Sequence, residues 1–103
     1  MSLRVLRTPR AKRDLAEVAS FLAEESFQVS ERFLDSAQVT FLALAKMPRI
    51  GVSREFRSGR FNDVRMWRVR DFEKFLVFHR VLTDAIVVLR VIHGARDIES
   101  LFR

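Results

Sequence analysis

The chain has 103 residues, of which 49% are hydrophobic, which suffices for one packed core and is too little for two. The absence of cysteine excludes a disulfide scaffold and thiol chemistry, and the short apolar runs exclude a transmembrane helix or the apolar block of a signal peptide. A net charge of +6 at pH 7 favours a polyanionic partner, either a nucleic acid or an acidic protein. We therefore expect a single domain over residues 1–103, located in the cytoplasm and without membrane contact.

The sequence opens with a short strand and a first helix. Leu3 and Val5 are separated by a basic residue, which fits the two-residue period of a strand. Thr8 and Pro9 follow as the N-cap and the first residue of a helix, where the missing N–H of proline costs nothing. Apolar residues at helical spacing define one buried face of this helix: Ala11, Leu15, Val18, Ala19 and Leu22.

A second helix follows a break at residues 24–27. It begins near Gln28 and ends near Met47, because the ring of Pro48 disfavours helical geometry at the residue before it. Its apolar face comprises Phe33, Ala37, Phe41 and Leu44, and Leu34 widens that face. Two amphipathic helices joined by a short loop predict an antiparallel helix hairpin.

The second half of the chain changes to the two-residue period of strands. Residues 48–60 contain Pro48, Gly51 and Gly59 and show little periodicity, so they are predicted to be a loop. Three strands follow, over Asn62–Val69, Phe75–Val81 and Ala85–Ile92. Turns at Asp71 and at residues 82–84 connect them as antiparallel hairpins, and Asp97 caps a last short helix over 98–102. This order predicts an α+β fold with the helices on one face of a small sheet.

One segment carries the whole excess of positive charge. Residues 46–70 contain eight basic and two acidic side chains, and eight minus two equals the net charge of +6. Such a field attracts a nucleic acid or an acidic protein. A solvated surface without any partner is the alternative interpretation, since runs of charge often serve solubility alone.

Four segments, taken together, carry a resemblance to a known family. They are AKRDL at 11–15, LAKMPRIG at 44–51, VR at 64–65 and LRVIHGARD at 89–97. In this order and spacing the chain resembles the RelE/ParE superfamily of toxin–antitoxin toxins, and its ParE branch most closely. The resemblance implies the RelE/ParE-like fold: an N-terminal strand, an antiparallel helix hairpin, and a three-strand antiparallel meander with the helices on one face.

The two branches of this superfamily differ in activity. RelE-like members are ribonucleases that cut messenger RNA on the ribosome without a metal, whereas ParE-like members poison DNA gyrase. RelE-like enzymes place an arginine, a second arginine and a tyrosine at the positions that resemble Leu76, Arg96 and Phe102 of this chain. A phenyl ring cannot exchange a proton, so the resemblance favours gyrase inhibition, without a cofactor or a metal, over ribonuclease activity.

Two alternatives stay open at this stage. Other ribonuclease branches use histidine and glutamate, so His79, His93 and Glu73 keep that chemistry possible, and a ribonuclease would use Arg96 with His93 or His79. For each histidine a structural role is favoured, a turn cap for His93 and packing for His79. The other alternative is an inert homologue that binds its antitoxin and has lost its target.

For contact with gyrase the resemblance and the charge pattern together point to the end of the sheet and its first meander strand. The residues that we assign to the target surface are Arg65, Trp67, Arg90, Arg96 and Asp97. Core packing is the equal alternative for Trp67. Arg96 and Asp97 have a structural alternative too, which is to pair with each other or to cap the final helix.

The resemblance also implies a ParD-like antitoxin whose C-terminal segment wraps the toxin through helix-in-groove contacts and pairing along a sheet edge, so that the two form a hetero-oligomer. Phe21, Phe33 and Phe41 are core candidates first, and are otherwise expected to line a groove for the antitoxin. An acidic antitoxin segment would complement Arg54, Arg57 and Arg60 electrostatically. Direct binding of nucleic acid to the same basic segment is an open possibility.

Overall fold

The computed structural model describes residues 2–103, and Met1 lies outside the described residues. Three helices and five strands follow one another along this part of the chain. They are β1 (Arg4–Arg7), α1 (Pro9–Ala23), α2 (Phe27–Lys46), β2 (Val52–Ser53), β3 (Arg65–Val69), β4 (Phe72–Val81), β5 (Ala85–His93) and α3 (Ile98–Leu101). Within residues 2–103, the helices are too short or too polar to cross a bilayer.

Hydroxyl side chains set where the two long helices begin. Oγ1 of Thr8 accepts a hydrogen bond from the backbone N–H of Ala11 at 2.9 Å, and Pro9 occupies the first position of α1, as the sequence predicts. Ser26 caps α2 in the same way, through a bond of 3.2 Å. Because this serine fixes the first turn, α2 begins at Phe27, one residue before the predicted start.

The five strands form one sheet in the order β1-β5-β4-β3-β2. β3, β4 and β5 make the predicted antiparallel meander, and β1 lies parallel to β5 with Arg4 opposite Ala85. The segment 48–60 contains β2, which pairs with Met66 and Arg65 at the outer side of β3. The loop prediction is wrong for Val52 and Ser53, because a strand of two residues is too short to show a period in the sequence.

Two of the three meander strands start at other residues than the sequence predicts, and β5 extends one residue further, to His93. β3 begins at Arg65 rather than Asn62, because the residues just before it form a turn. β4 begins at Phe72, three residues earlier than predicted, directly after the tight turn at Asp71. The φ angle of Asp71 is 64°, in the left-handed region that aspartate tolerates better than most residues.

The sheet carries a hydrophobic cluster on each face. α1 and α2 pack on one face, where the buried residues are Ala11, Phe33, Ala37, Phe41, Leu44, Val69, Val77, Ile86, Val88 and Val91. A second-face cluster comprises Phe56, Val64, Phe78, Ile92, Ile98 and Phe102. The predicted α+β fold with the long helices on one face is confirmed. The cover of the opposite face by the β2–β3 loop and α3 was not predicted.

Candidate functional site

The polar residues that follow β5 fold into a tight turn. The N–H of Gly94 binds the carbonyl of Lys74 at 2.7 Å, and the N–H of Arg96 binds the carbonyl of His93 at 3.1 Å. Nδ1 of His93 also accepts a hydrogen bond from the N–H of Ala95 at 3.0 Å. His93 therefore caps this turn, which is the role that the sequence favours for it.

Arg96 and Asp97 have different roles in this turn. Oδ1 of Asp97 accepts from the N–H of Ser100 at 3.4 Å, and the Asp97 carbonyl accepts from the Ser100 hydroxyl at 2.8 Å, so Asp97 caps α3. Arg96 is exposed and, within residues 2–103, forms no salt bridge. It lies beside a cleft of about 100 Å³ that Glu17 and His93 also line. Its guanidinium is free to bind a partner.

A buried ion pair joins α1 to β5. Nε and Nη2 of Arg90 donate to the carboxylate of Asp14 at 2.7 and 3.1 Å, and the N–H of Val91 donates to the same carboxylate at 3.0 Å. The side chains of Arg90 and Asp14 are 11% and 2% exposed. The assignment of Arg90 to a target surface is wrong, because its guanidinium is satisfied inside the fold.

His79 lies in β4 and is fully buried. Its Nε2 is 2.9 Å from the carbonyl oxygen of Pro48, and within the described residues its Nδ1 has no hydrogen-bond partner. Burial lowers the pKa of His79 below its ordinary value of 6.5; the Pro48 carbonyl opposes this shift and the charge of Arg65 adds to it. The alternative in which His79 acts on RNA is wrong, because no substrate can reach its ring. Its expected packing role is confirmed.

The phenylalanines assigned to an antitoxin groove fall in two different environments. Phe33 and Phe41 are 0% and 1% exposed and belong to the cluster between the helices and the sheet. Their assignment to an antitoxin surface is wrong, because a partner cannot touch side chains that the fold already covers, and their interpretation as core residues is confirmed. Phe21 is 65% exposed near the end of α1 and is accessible to a partner.

The basic segment 46–70 is not neutralised within the fold. In the part of the chain that the structure describes, none of its eight basic side chains forms a salt bridge. Three of its guanidinium groups cover aromatic rings instead, at 5.3, 5.6 and 4.5 Å from the ring centroids: Arg54 over Phe56, Arg60 over Phe61 and Arg68 over Trp67. A cation–π contact does not cancel the charge, so the segment keeps its attraction for anionic groups.

Arg57 borders an open cleft of about 590 Å³ between the β2–β3 loop and α3. Its backbone N–H donates to the carboxylate of Glu99 at 2.6 Å, which ties the loop to the helix. Phe102 and Arg103 line the same cleft. The exposed side chain of Arg57 is therefore held at a rim where a partner segment can reach it.

Arg65 and Trp67 occupy the first meander strand and are both partly exposed. Nη2 of Arg65 donates to the carbonyls of Arg49 and Gly51 at 2.9 and 2.7 Å. Trp67 packs against the cluster on the helix side, so its core-packing alternative is confirmed. Their role in binding a target stays a prediction.

Two of the three positions that resemble those of RelE-like enzymes, Leu76 and Phe102, carry apolar side chains that belong to the second-face cluster or pack against it. Phe102 is 3% exposed, and its ring centroid is 4.6 Å from that of Phe56 and 5.0 Å from that of Phe78. Leu76 packs against the same cluster, whereas Glu73 is exposed in β4. Within residues 2–103, no group of three or more histidine, aspartate or glutamate side chains is placed to hold a metal ion.

Asp14 is a structural residue that was not among those predicted from the sequence. This residue lies three positions after Ala11 and four before Val18, on the apolar face of α1. A carboxylate at such a position requires a buried partner, and Arg90, a base inside an apolar strand, is the matching signal. Read together, the two signals predict the buried pair that the structure contains.

Of three comparisons with known proteins, one identifies a family and another shows the fold. A family model described as the ParE toxin of the type II toxin–antitoxin system parDE matches residues 5–98. Among solved structures, a chain described as a chromosomal ParDE toxin–antitoxin system from P. aeruginosa matches with a TM-score of 0.71 and 16% identity, covering 89% of this chain and 96% of that chain. At this identity the likeness shows the fold alone. A search of curated protein sequences finds no match.

Proposed function

Because this chain belongs to the ParE toxin family of type II toxin–antitoxin systems, we propose that it inhibits DNA gyrase and that a ParD-like antitoxin neutralises it. The match over residues 5–98 includes the helix hairpin and the whole sheet apart from Arg4, the first residue of β1. A shared fold does not by itself assign an activity. The proposal therefore depends on the chemistry at the end of the sheet.

The observation that carries the proposal is the burial of Phe102 in the second-face cluster. RelE-like ribonucleases resemble one another in having a tyrosine at this position and an arginine at that of Leu76. Cleavage needs an acid for the leaving oxygen and a cation beside the crowded phosphate, and neither phenylalanine nor leucine supplies them. Inhibition of gyrase by binding does not require this chemistry.

We assign the contact with the target to Arg96, supported by Arg65 and Trp67. Arg96 is exposed, and the turn that carries it is fixed by hydrogen bonds at Gly94 and His93. An exposed guanidinium on a fixed backbone can bind carboxylates and phosphates in a forked geometry. A complex of gyrase with DNA presents both of these groups.

The antitoxin half of the proposal depends on the unneutralised charge of segment 46–70. An acidic antitoxin segment would be attracted to Arg54, Arg57 and Arg60, and Phe21 offers an exposed apolar anchor elsewhere on the surface. The expected product is a hetero-oligomer of toxin and antitoxin in the cytoplasm.

The decisive experiment measures gyrase supercoiling and DNA cleavage with the purified chain, first alone and then after adding the antitoxin. We expect inhibition with accumulation of cleaved DNA, and reversal by the antitoxin. A folded chain that leaves gyrase unaffected and cuts transcripts in a translation extract would contradict the proposal and identify a ribonuclease. A chain that binds the antitoxin and does neither would be an inert homologue.

A further inference from the structure

The outward side of α2 carries apolar residues in the middle of a charged stripe. Val39 and Leu42 are 43% and 50% exposed, and Asp35 and Lys46 lie before and after them along the helix. The four residues are spaced four, three and four positions apart, which places them along one side of a helix. This stripe, Asp35-Val39-Leu42-Lys46, is the α2 seam. A helix that packs on a sheet ordinarily has a polar outward side, so the apolar pair requires an explanation.

The two ends of the α2 seam carry opposite charges. Asp35 and Lys46 are both exposed, and within residues 2–103 neither forms a salt bridge. Arg32 lies beside the seam but is directed elsewhere, because its guanidinium carbon is 5.9 Å from the centroid of the Phe72 ring. The seam therefore presents an acid at one end, a base at the other, and apolar side chains between them.

The order of residues along the α2 seam is complementary to itself when it is reversed. A second copy of α2 can lie antiparallel to the first, with a two-fold axis between positions 40 and 41. Asp35 then faces Lys46 of the second copy, and Val39 faces Leu42 of the second copy. The axis produces each contact twice, as in every two-fold interface between identical chains. Alternating spacings of three and four positions are also those of the apolar seam between paired helices.

The distribution of charge along the chain favours this antiparallel arrangement, although the net charge is positive. Residues 17–35 contain five acidic residues, all exposed, and one basic residue, whereas residues 46–70 carry the excess of positive charge. Antiparallel pairing brings the acidic end of one α2 to the basic end of the other, at both ends of the seam. The acidic half of α2 disfavours an acidic antitoxin segment as the occupant of this side, because like charges repel.

We propose that the α2 seam is the interface for a second copy of this chain, and that the two copies pair their α2 helices antiparallel. At 1.5 Å per residue the seam is about 17 Å long, so the interface is at the small end of specific protein contacts. The dimer is therefore reversible, with an expected dissociation constant on the order of 10 μM. The inference does not depend on the inhibition of gyrase or on an antitoxin.

The test exchanges the charges at the ends of the α2 seam and measures dimers by sedimentation equilibrium, from about 1 to about 200 μM protein. Asp35→Lys places two lysines against each other, and Lys46→Glu places two acids against each other. Each variant alone should dimerise at least about tenfold more weakly than the wild type. An equimolar mixture of the two variants has opposite charges at both ends and should restore dimers. Thermal unfolding verifies that each variant, changed at an exposed position, folds.

The apolar centre of the seam is tested separately by Leu42→Gln, with Leu6→Gln as the matched control. Leu6 is 39% exposed and lies on the other face of the sheet from α2, since its neighbour Val5 packs on the helix side. We expect Leu42→Gln to weaken dimerisation about tenfold and Leu6→Gln to change it by less than about twofold. This pair of variants keeps the proposal testable if a charge variant fails to fold.

Four results would overturn the inference. A wild-type chain that stays monomeric up to about 200 μM would exclude the dimer. Dimers that neither charge variant weakens would lie on another surface. Failure of the mixed variants to restore dimers would exclude the antiparallel arrangement. If the wild-type chain is monomeric and Leu42→Gln binds the antitoxin more weakly than the wild type does, the antitoxin covers this side of α2, and the proposed function survives.

Discussion

The carboxylate of Asp14 and the guanidinium of Arg90 form a forked ion pair across 76 positions of the sequence, at 2.7 and 3.1 Å. The acid belongs to α1 and the base to β5, so the pair links the helix layer to the sheet. The N–H of Val91 completes the coordination of the carboxylate at 3.0 Å. This arrangement fixes the position of α1 on the strand that it crosses.

Removing one partner of this pair should destabilise the fold. We expect Asp14→Ala to lower the free energy of unfolding by about 3 kcal/mol, because Arg90 would then keep a largely buried charge without a partner. Urea unfolding followed by circular dichroism measures the loss. The control is Arg4→Ala, because the ion pair of Arg4 with Asp84 is exposed at both ends and contributes less than about 1 kcal/mol. Equal losses in the two variants would contradict the prediction.

Stability should fall when the solution becomes acidic, because of His79. Burial lowers the pKa of this residue in the folded chain, so the unfolded chain takes up its proton first as the pH drops. The contribution is fully present above the ordinary pKa of 6.5 and is lost as the pH falls through that value toward the lower pKa of the folded state. Urea titrations between about pH 8 and about pH 5 measure this dependence.

The control for the pH dependence is His79→Gln. Glutamine can donate to the carbonyl of Pro48 without titrating, so this variant should lose the part of the slope that the imidazole causes. An unchanged slope in His79→Gln would assign the pH dependence to other groups.

Replacing Gly51 or Gly59 with alanine should lower the stability of the fold, for a different reason at each position. Gly51→Ala places a Cβ 2.8 Å from the carbonyl oxygen of Met66, and we expect it to cost about 2 kcal/mol of stability through overpacking. Gly59→Ala meets no atom within 4 Å, but its φ of 72° costs about 1 kcal/mol. NMR should show a shifted His79 ring resonance in Gly51→Ala and not in Gly59→Ala. A shift of that resonance in neither variant would show that the loop can move away.

Phe102 should matter for packing and not for chemistry. Its ring contacts those of Phe56, Phe61 and Phe78, so Phe102→Ala is expected to lower the free energy of unfolding by about 3 kcal/mol. We expect Phe102→Tyr to gain no transcript cleavage in a translation extract, because the position lies within the second-face cluster. Transcript cleavage by Phe102→Tyr would contradict this prediction and support the ribonuclease alternative.

Arg96 should affect binding without affecting stability. We expect Arg96→Ala to weaken gyrase inhibition about tenfold, because it removes an exposed guanidinium that has no partner within residues 2–103. Its free energy of unfolding should change by less than about 0.5 kcal/mol. Arg13→Ala, at an exposed position of α1, is the control for the loss of one positive charge. Inhibition by Arg96→Ala at the wild-type level would place the target contact elsewhere.

Local signals predicted most of the secondary structure. The pair Thr8 and Pro9 identified the start of α1, and the change from helical to two-residue periodicity identified the meander. The sequence did not reveal β2 or the parallel pairing of β1 with β5, because both depend on residues that are far apart along the chain. It also gave no sign that Phe56 and Phe102 would cover the second face of the sheet.

The candidate site was harder to predict than the fold, since residue type does not determine exposure. Phe21 and Phe33 are residues of the same type on neighbouring helices, yet Phe21 is 65% exposed and Phe33 is buried. Arg90 and Arg96 lie six positions apart. Within residues 2–103, only Arg90 forms an ion pair, with Asp14. In each pair the difference comes from an element that packs nearby in space and lies elsewhere in the sequence.

The parallel pairing of β1 with β5 has a consequence for synthesis on the ribosome. β5 lies between β1 and β4, so the first strand to be made has no neighbour until residues 85–93 have been translated. A sheet closed by such a distant contact forms late and slowly. Chains released early by interrupted translation lack β5, and with it the partner of Asp14. Such fragments cannot complete the sheet, so the folded toxin requires translation through β5.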